Sequence, residues 1–447
     1  MKEIRLLILL FALLLSFHNC SDDELKPVPI EDSDKELPAR WADMTLRVIR
    51  NHGQNSPTYI SRSLGYLGVT MYESIVHGNP NYRSLVGQLN ELSSLPQPET
   101  GKEYNWTIAL NAGQAYMLKN LFPSAFGALE AVDSLEFAVH QPELVKTGME
   151  IGERSRLFGL SIAEAIFEWS KSDGGHGAQF FPFDPSYSFP RGPEFWAPPG
   201  FGQTVSPYPL HPHWGNNRTF VSANGYLPIP DPVPYSTDPA SECYKLFKDV
   251  YDKNKVLTEE EKRIAAWWAD DPTQSFSPPG HSYNLATIAI TSKKADMFVA
   301  AEAYAKVGMA VADAFINCWK CKYVYHSGRP NSYILANIDD KYAQFWPEPP
   351  FPAFTSGHAT QSAATAMVLV SVFGNNFPLV DNTYEGRLPD FNNIEYRSRT
   401  FRNIDETAKE CAYSRFLGGI HTQQDNDKGA TQGYTIGEHI ASLSWKK

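Results

Sequence analysis

The stretch FPAFTSGHATQSAATAMVLVSVFG, residues 351–374, joins a loop that carries functional side chains to a helix. The residues after His358 are rich in alanine and other apolar residues, and they predict a helix that fills the rest of the stretch. Thr355 or Ser356 can cap its first turn. The backbone N–H groups of Gly357 and His358 then lie at a helix N-terminus, which favours a bound anion. Gly357 also permits an oxyanion to approach the backbone closely.

A second segment, upstream, supplies two cations at the end of a long helical pattern. Lys322 and Arg329 are seven residues apart, so a continued helix would keep both on one face. Gly328 and Pro330 indicate instead that the helix has ended by then. The sequence therefore predicts Arg329 on a loop.

A third segment, downstream, supplies another arginine and another histidine. Arg415 and His421 are six residues apart, about 240° around a straight helix at about 100° per residue, so they could not converge from one continuous helix. Gly418 and Gly419 supply the break that lets them converge. Asp425 follows His421 by four residues and can reach its ring and fix its tautomer.

Together the three segments offer three fixed cations, a serine hydroxyl, main-chain donors and two histidines. Such a set describes a cage for a tetrahedral dianion or for its five-coordinate form. One histidine can bond to the central atom while the other moves protons on the opposite side. The pattern predicts either in-line phosphoryl transfer without a metal cation or the binding of vanadate, which mimics that transition state.

The motifs K-x6-RP, SGH and SR-x5-H-x3-D, in this order over residues 322–425, resemble the signature of the type 2 phosphatidic acid phosphatase/vanadium haloperoxidase superfamily. The segment from Trp268 to Asn284 is also similar to a haloperoxidase segment, so the similarity extends from there to the C-terminal motifs. The resemblance implies an all-α fold, a helical bundle of the haloperoxidase/acid phosphatase type with long ordered loops.

In a haloperoxidase, the resemblance makes His421 the axial ligand to the vanadium of vanadate. His358 is the acid–base residue that takes a proton from peroxide. The equatorial oxygens are neutralised by Lys322, Arg329 and Arg415. They also accept hydrogen bonds from Ser356 and from the Gly357 N–H. Phosphate can occupy the same site.

The resemblance also implies roles for residues around this centre. In haloperoxidases an acidic residue of the segment near 270, here Asp271 or Asp270, pairs with Arg415. In a phosphatase of the superfamily, Asp425 orients His421. Trp319 and Phe351 look like the Trp and Phe that line the halide pocket of fungal chloroperoxidases and bacterial enzymes. Algal bromoperoxidases carry His where Phe351 stands.

The function that follows is oxidation of a halide, iodide or bromide, with hydrogen peroxide to hypohalous acid at a histidine-bound vanadate. Similarity to marine bacterial iodoperoxidases favours iodide. The alternative is a vanadate-inhibited acid phosphatase, in which His421 is the nucleophile that forms a phospho-histidine and His358 is the general acid. A third hypothesis is a nutrient-binding surface lipoprotein, which would not need both histidines. Thr355 departs from the superfamily pattern, which usually has Pro before Ser-Gly-His.

The N-terminus predicts export. Leu6 to Phe17 is an apolar run of 12 residues after a short basic segment, too short for the about 20 residues that span a bilayer. Cys20 follows it and resembles the lipidated cysteine of a bacterial lipoprotein. We therefore predict a lipoprotein anchored at the outer membrane or cell surface, or otherwise a periplasmic or secreted protein. The predicted signal peptide covers residues 1–19, and the lipidated tether covers residues 20–37. One helical haloperoxidase-like domain covers residues 38–447, with its active-site motifs within 268–425.

The remaining composition narrows the partners. The net charge of −11 argues against nucleic acid, since phosphate binding needs a basic footprint. The expected partners are hydrogen peroxide and a halide, with an organic acceptor and the oligomeric state left open and membrane contact only through the Cys20 lipid. Residues 171–240 show no period and predict a long ordered excursion of the kind that lines or covers a site. Four further cysteines are expected to be buried or paired, namely Cys243, Cys318, Cys321 and Cys411.

Overall fold

A computed structural model describes residues 36–52, 56–125, 127–204, 206–272, 274–389 and 392–447. The predicted signal peptide, Cys20 and nearly all of the predicted tether lie outside the described residues. Within those ranges, no helix combines the length and apolar character that a membrane crossing requires.

Helices dominate the described ranges, and the predicted all-α class is confirmed. The thirteen helices longer than one turn in these ranges are α1 (Leu37–Asn51), α2 (Pro57–Glu73), α3 (Trp106–Leu121), α4 (Leu129–Thr147), α5 (Met149–Ser170), α6 (Glu242–Asn254), α7 (Glu259–Trp267), α8 (Ser277–Lys293), α9 (Met297–Tyr325), α10 (Pro330–Asn337), α11 (Gly357–Phe373), α12 (Ile404–Leu417) and α13 (Gln423–Ala441). A one-turn helix, Ser222–Gly225, and three 3-10 turns lie between them. Strands β1 (Leu379–Asp381) and β2 (Arg399–Phe401) form one antiparallel pair, with Val380 opposite Thr400.

The buried helix α9 is the centre of the packing. It lies against α2 on one side and α11 on another, and α11 packs in turn on α12 and α13. Glycines allow these close approaches: a Cβ at Gly308 would lie 2.2 Å from the Leu64 carbonyl oxygen, and one at Gly433 would lie 2.0 Å from that of Thr360. One hydrophobic cluster runs through the bundle from Leu37 to Trp445. The ends of α9, α11 and α12 and the start of α13 therefore have fixed relative positions.

One of the contacts that fasten the excursion over 171–240 to this bundle is made by a buried carboxylate. Asp313 of α9 accepts hydrogen bonds from Phe220 N (2.7 Å), Val221 N (3.1 Å) and Asn224 Nδ2 (2.8 Å). Because the carboxylate is buried, these donors replace the water that it would otherwise bind.

The sequence pattern predicts helices over 281–322 and 421–445, and the structure corrects one boundary in each. The helical pattern over 281–322 is two helices, because Lys294 adopts a left-handed conformation (φ 49°) and Asp296 caps α9 by accepting from Phe298 N and Val299 N. The pattern predicted from residue 421 begins only at Gln423, so that His421 precedes α13. The helix starts there because Thr422 is its N-cap, whose side chain accepts from Asp425 N.

Candidate active site

Part of the predicted site lines one cavity of about 270 Å3. The predicted residues that line it are Asp270, Trp319, Phe351, Gly357, His358, Arg415 and His421. The predicted residues that do not line it are Asp271, Lys322, Arg329, Ser356 and Asp425. The excursion lines it as well, through Gln179, Pro182, Phe183, Gln203, Thr204 and Leu210. The cavity thus joins cationic and imidazole groups to a largely apolar wall.

The His421 ring is held by Asp425, but not across a helical turn as the spacing suggested. Thr422 is the N-cap of α13 and Asp425 closes its capping box. The same Asp425 Oδ2 accepts from Thr422 N (3.2 Å) and from His421 Nδ1 (2.9 Å). The proton is therefore assigned to Nδ1, which leaves the Nε2 lone pair free to accept or to bind.

Arg329 occupies that lone pair. It is the N-cap of α10, after α9 has ended at Tyr325, as Gly328 and Pro330 predicted. Its Nη1 donates to His421 Nε2 (3.1 Å) and to the Ile420 carbonyl oxygen (2.9 Å). Burial, and then the charges of Arg329 and Lys322, hold the pKa of His421 well below its usual value. His421 is therefore a neutral imidazole whose free nitrogen faces cations.

Lys322 contributes charge rather than a free donor. Its ammonium is buried and donates to the carbonyl oxygens of Pro352 (2.9 Å), Ala353 (2.7 Å) and Thr355 (2.6 Å). Lys322 therefore holds the loop before α11, and its positive charge reaches the site through space. To bind an oxyanion directly, as predicted, Lys322 would have to exchange at least one of these hydrogen bonds for one to the oxyanion.

Arg415 lies in the last turn of α12. The helix ends at Gly418 and Gly419, as predicted, and Gly419 has a left-handed φ of 79°. Its buried Nη1 donates to the Trp268 carbonyl oxygen, while Nε and Nη2 are buried and have no hydrogen-bond partner among the described residues. Buried donors without acceptors cost about 1–3 kcal/mol, more for charged groups. An oxyanion in the cavity would supply the missing acceptors, so this arginine fits a bound vanadate or phosphate.

The predicted pairing of Asp271 or Asp270 with Arg415 is not a direct ion pair. Asp271 accepts from Gln203 Nε2 (2.5 Å) and from Trp346 Nε1 (3.1 Å), and it acts on Arg415 only through its charge. Asp270 belongs to a different network, described below.

Ser356 and His358 open helix α11. Ser356 is its N-cap, with Oγ accepting from Ala359 N (3.4 Å), and its N–H donates to the Asp425 carbonyl oxygen (3.0 Å). His358 Nε2 lies 4.0 Å from Asp270 Oδ2. Burial, followed by the charges of Arg415 and His281, lowers the pKa of His358 well below its usual value. His358 is therefore unprotonated and able to act as a base.

Trp319 and Phe351 form one apolar wall, as predicted. Their ring centroids are 4.8 Å apart, and Trp319 Nε1 donates to the Leu210 carbonyl oxygen (3.2 Å). Lys322 Nζ lies 5.1 Å from the Phe351 ring centre. The aromatic wall and the cations are thus in contact.

Four cysteines and two further histidines do not line the cavity. The four cysteines of the described ranges are buried as free thiols. His211 is a core residue that bonds to Thr58 Oγ1 (2.5 Å) and the Ala178 carbonyl oxygen (3.1 Å). His326 caps α9 and bonds to Tyr187 OH (2.8 Å).

Sequence reasoning missed His281 and Asp381. His281 lies between the carboxylates of Asp270 and Asp381, and Asp270 in turn faces His358. The segment over 268–284 carried the family resemblance, but its spacing gives no reason to join His281 to a carboxylate 100 residues away.

Comparisons with known proteins agree with this fold. The family model described as the VCPO second helical-bundle domain matches residues 302–446. The crystal structure of the first bacterial vanadium-dependent iodoperoxidase matches with a TM-score of 0.79 and 32% sequence identity to this chain. The match covers 93% of this chain and 97% of that chain. Apo and holo structures of a bacterial vanadium-dependent chloroperoxidase are 16% identical, with TM-scores of 0.62 and 0.61, and show the fold alone. They cover 87% and 86% of this chain and 93% and 92% of those chains.

No curated protein matches the sequence. The likeness to the iodoperoxidase extends over nearly the whole of both chains. The chain belongs to the vanadium haloperoxidase family.

Proposed function

We propose that this protein is a vanadium-dependent haloperoxidase that uses hydrogen peroxide to oxidise a halide to hypohalous acid, with vanadate held at His421. The observation that carries the proposal is the pairing of two features in one cavity. The buried Nε and Nη2 of Arg415 have no acceptor among the described residues, and His421 presents an unprotonated Nε2. Family membership supports the same reading.

The cage would hold the oxyanion through charge and through donors. Arg415 would donate from Nε and Nη2, while Arg329 would shift its Nη1 from His421 Nε2 to an oxygen. The main-chain N–H of Gly357 lies at the N-terminus of α11, a position that favours a bound anion. When bound, vanadate supplies a Lewis acid that activates peroxide toward the halide without changing its own oxidation state.

The proton chemistry falls to His358. A base in this cavity must be neutral at working pH, and burial, followed by the charges of Arg415 and His281, lowers the pKa of His358 in that direction. His358 would take a proton from hydrogen peroxide and later return one to the departing oxygen. Asp425 meanwhile keeps the proton of His421 on Nδ1, and so keeps Nε2 available.

The wall formed by Trp319 and Phe351 would receive the halide. Trp and Phe also line the halide pocket of fungal chloroperoxidases, so this wall alone does not select the halide. The 32% identity to a bacterial iodoperoxidase favours iodide over bromide and chloride. We also propose that the protein is exported and anchored through a lipid on Cys20, on the N-terminal sequence alone.

The test is a paired assay on the mature protein. One half is loaded with orthovanadate and given hydrogen peroxide with iodide, bromide or chloride; the other half, free of vanadate, is given a chromogenic phosphate ester. We expect vanadate-dependent halide oxidation, fastest with iodide. Phosphatase turnover that vanadate inhibits, without halide oxidation, would contradict the proposal and assign a phospho-His421 intermediate instead.

A further inference from the structure

A buried chain of charged groups lies behind His358. His281 Nδ1 faces Asp270 Oδ1 (3.0 Å) and Oδ2 (3.2 Å), while His281 Nε2 faces Asp381 Oδ2 (2.8 Å). Trp267 Nε1 donates to the same Asp381 oxygen (2.7 Å). Both carboxylates and the imidazole are buried.

The contacts fix the charge of His281. Each ring nitrogen faces a carboxylate, so both nitrogens donate and the ring is an imidazolium. Burial alone would lower the pKa of His281, but the charges of Asp270 and Asp381 outweigh it and raise the pKa to about 10. The ring is therefore charged throughout the neutral range.

These buried groups adjoin both His358 and Arg415 of the cavity. Asp270 Oδ2 lies 4.0 Å from His358 Nε2, and Asp270 lines the cavity. The Trp268 ring stacks on His281 with centroids 4.5 Å apart, and the Trp268 carbonyl oxygen accepts from Arg415 Nη1. Asp270 has a left-handed backbone (φ 52°), which a non-glycine residue rarely adopts. Its hydrogen bonds from His281 and Tyr384 hold that conformation.

We propose that His281 is a positioning residue of this site: with Asp381 it fixes Asp270 against His358 Nε2 and keeps His358 in the orientation and protonation state of a base. The inference rests on the proposed haloperoxidase function, which gives His358 its task. His281 does not line the cavity, so it acts through Asp270 and through its charge.

The charged groups around these rings set the direction of the effect. His358 faces Arg415 from α12, His421 from the loop before α13, and Asp270 and His281. His281 faces Asp270, Asp381 and the Tyr384 ring, and Asp271 lies beside Asp270. Because the His281 charge lowers the pKa of His358, its removal raises that pKa.

The test is His281→Gln, which keeps a donor to Asp270 and removes the positive charge. The first readout is the side-chain 15N signal of His281 and His358 in the vanadate-free wild-type protein. We expect His281 to be doubly protonated from about pH 5 to 8, as a pKa near 10 requires, and His358 to stay neutral above its lowered pKa. A neutral His281 at pH 7 would overturn the proposal.

The second readout is the pH profile of kcat for iodide oxidation. A base is lost as pH falls through its pKa, so the acidic limb of the wild type lies below the usual histidine value. In His281→Gln we expect this limb to move to higher pH by about one unit, the size of a neighbouring charge effect. A limb that stays in place or moves to lower pH would overturn the proposal.

The matched control is His52→Gln, the same change at a buried histidine that packs on Phe122 outside the cavity. It should leave the limb in place, whatever it does to stability. If the wild type oxidises no halide, the proposed function fails, and the 15N measurement still decides whether His281 and Asp270 form the charged pair.

Discussion

Replacing His421 by alanine is expected to abolish both vanadate binding and halide oxidation. The change removes the imidazole nitrogen that accepts from Arg329 Nη1 at the cavity. Loss of this proposed ligand to vanadium should lower turnover by at least about 10³-fold, or about 4 kcal/mol in activation free energy. The fold should persist, because Asp425 keeps its capping bond to Thr422 N and Arg329 keeps the Ile420 oxygen. Vanadate titration by calorimetry and the iodide assay measure the two effects.

The control for this change is His213→Ala, at a histidine that is largely exposed and lies 3.4 Å from Asp184. It should leave vanadate affinity and turnover unchanged. Full activity in His421→Ala would show that the site has been assigned to the wrong histidine.

Replacing Arg415 by methionine is expected to separate function from stability. Two charge-assisted hydrogen bonds to an oxyanion, at about 1.5–3 kcal/mol each, should disappear, so vanadate affinity should fall by about 10²- to 10⁴-fold. In the vanadate-free protein the same change removes two buried donors that lack acceptors. Its free energy of unfolding should therefore stay the same or rise by about 1–2 kcal/mol. Chemical denaturation without vanadate and calorimetry with it measure both quantities.

The matched control is Arg62→Met, at a second buried arginine. Arg62 Nε pairs with Asp173 Oδ2 at 2.6 Å, so its removal leaves a buried carboxylate unpaired and should cost about 3–5 kcal/mol. Vanadate affinity of the folded fraction should not change. If Arg415→Met destabilised the vanadate-free protein as much as Arg62→Met does, Arg415 would be a structural residue.

Features with a local physical cause were predictable from the sequence. Gly328 and Pro330 end α9 before Arg329, and Gly418 with Gly419 ends α12 before His421. Glycine and proline act on their own backbone, so their effect does not depend on the rest of the chain.

The local geometry at His421 was harder to predict. The spacing to Asp425 suggested one helical face, whereas Thr422 begins α13 and the contact forms across its capping box. Either geometry brings the two side chains together, so the predicted contact was right although its structural basis was wrong.

Contacts between distant segments could not be read from spacing. A carboxylate near residue 270 was expected to pair with Arg415, but Asp270 bonds to His281 and Asp271 to Gln203 and Trp346. These choices depend on how α8, α12 and the excursion pack. A sequence shows that a carboxylate is present, and tertiary packing decides which partner it meets.

The position of vanadate can be measured in a crystal of the protein soaked in orthovanadate, with data collected near the vanadium absorption edge. We expect one strong anomalous peak in the cavity, next to His421 Nε2 and within hydrogen-bonding reach of Arg415 Nε and Nη2. A peak at another histidine, or a cavity without a peak under conditions that support halide oxidation, would contradict this expectation.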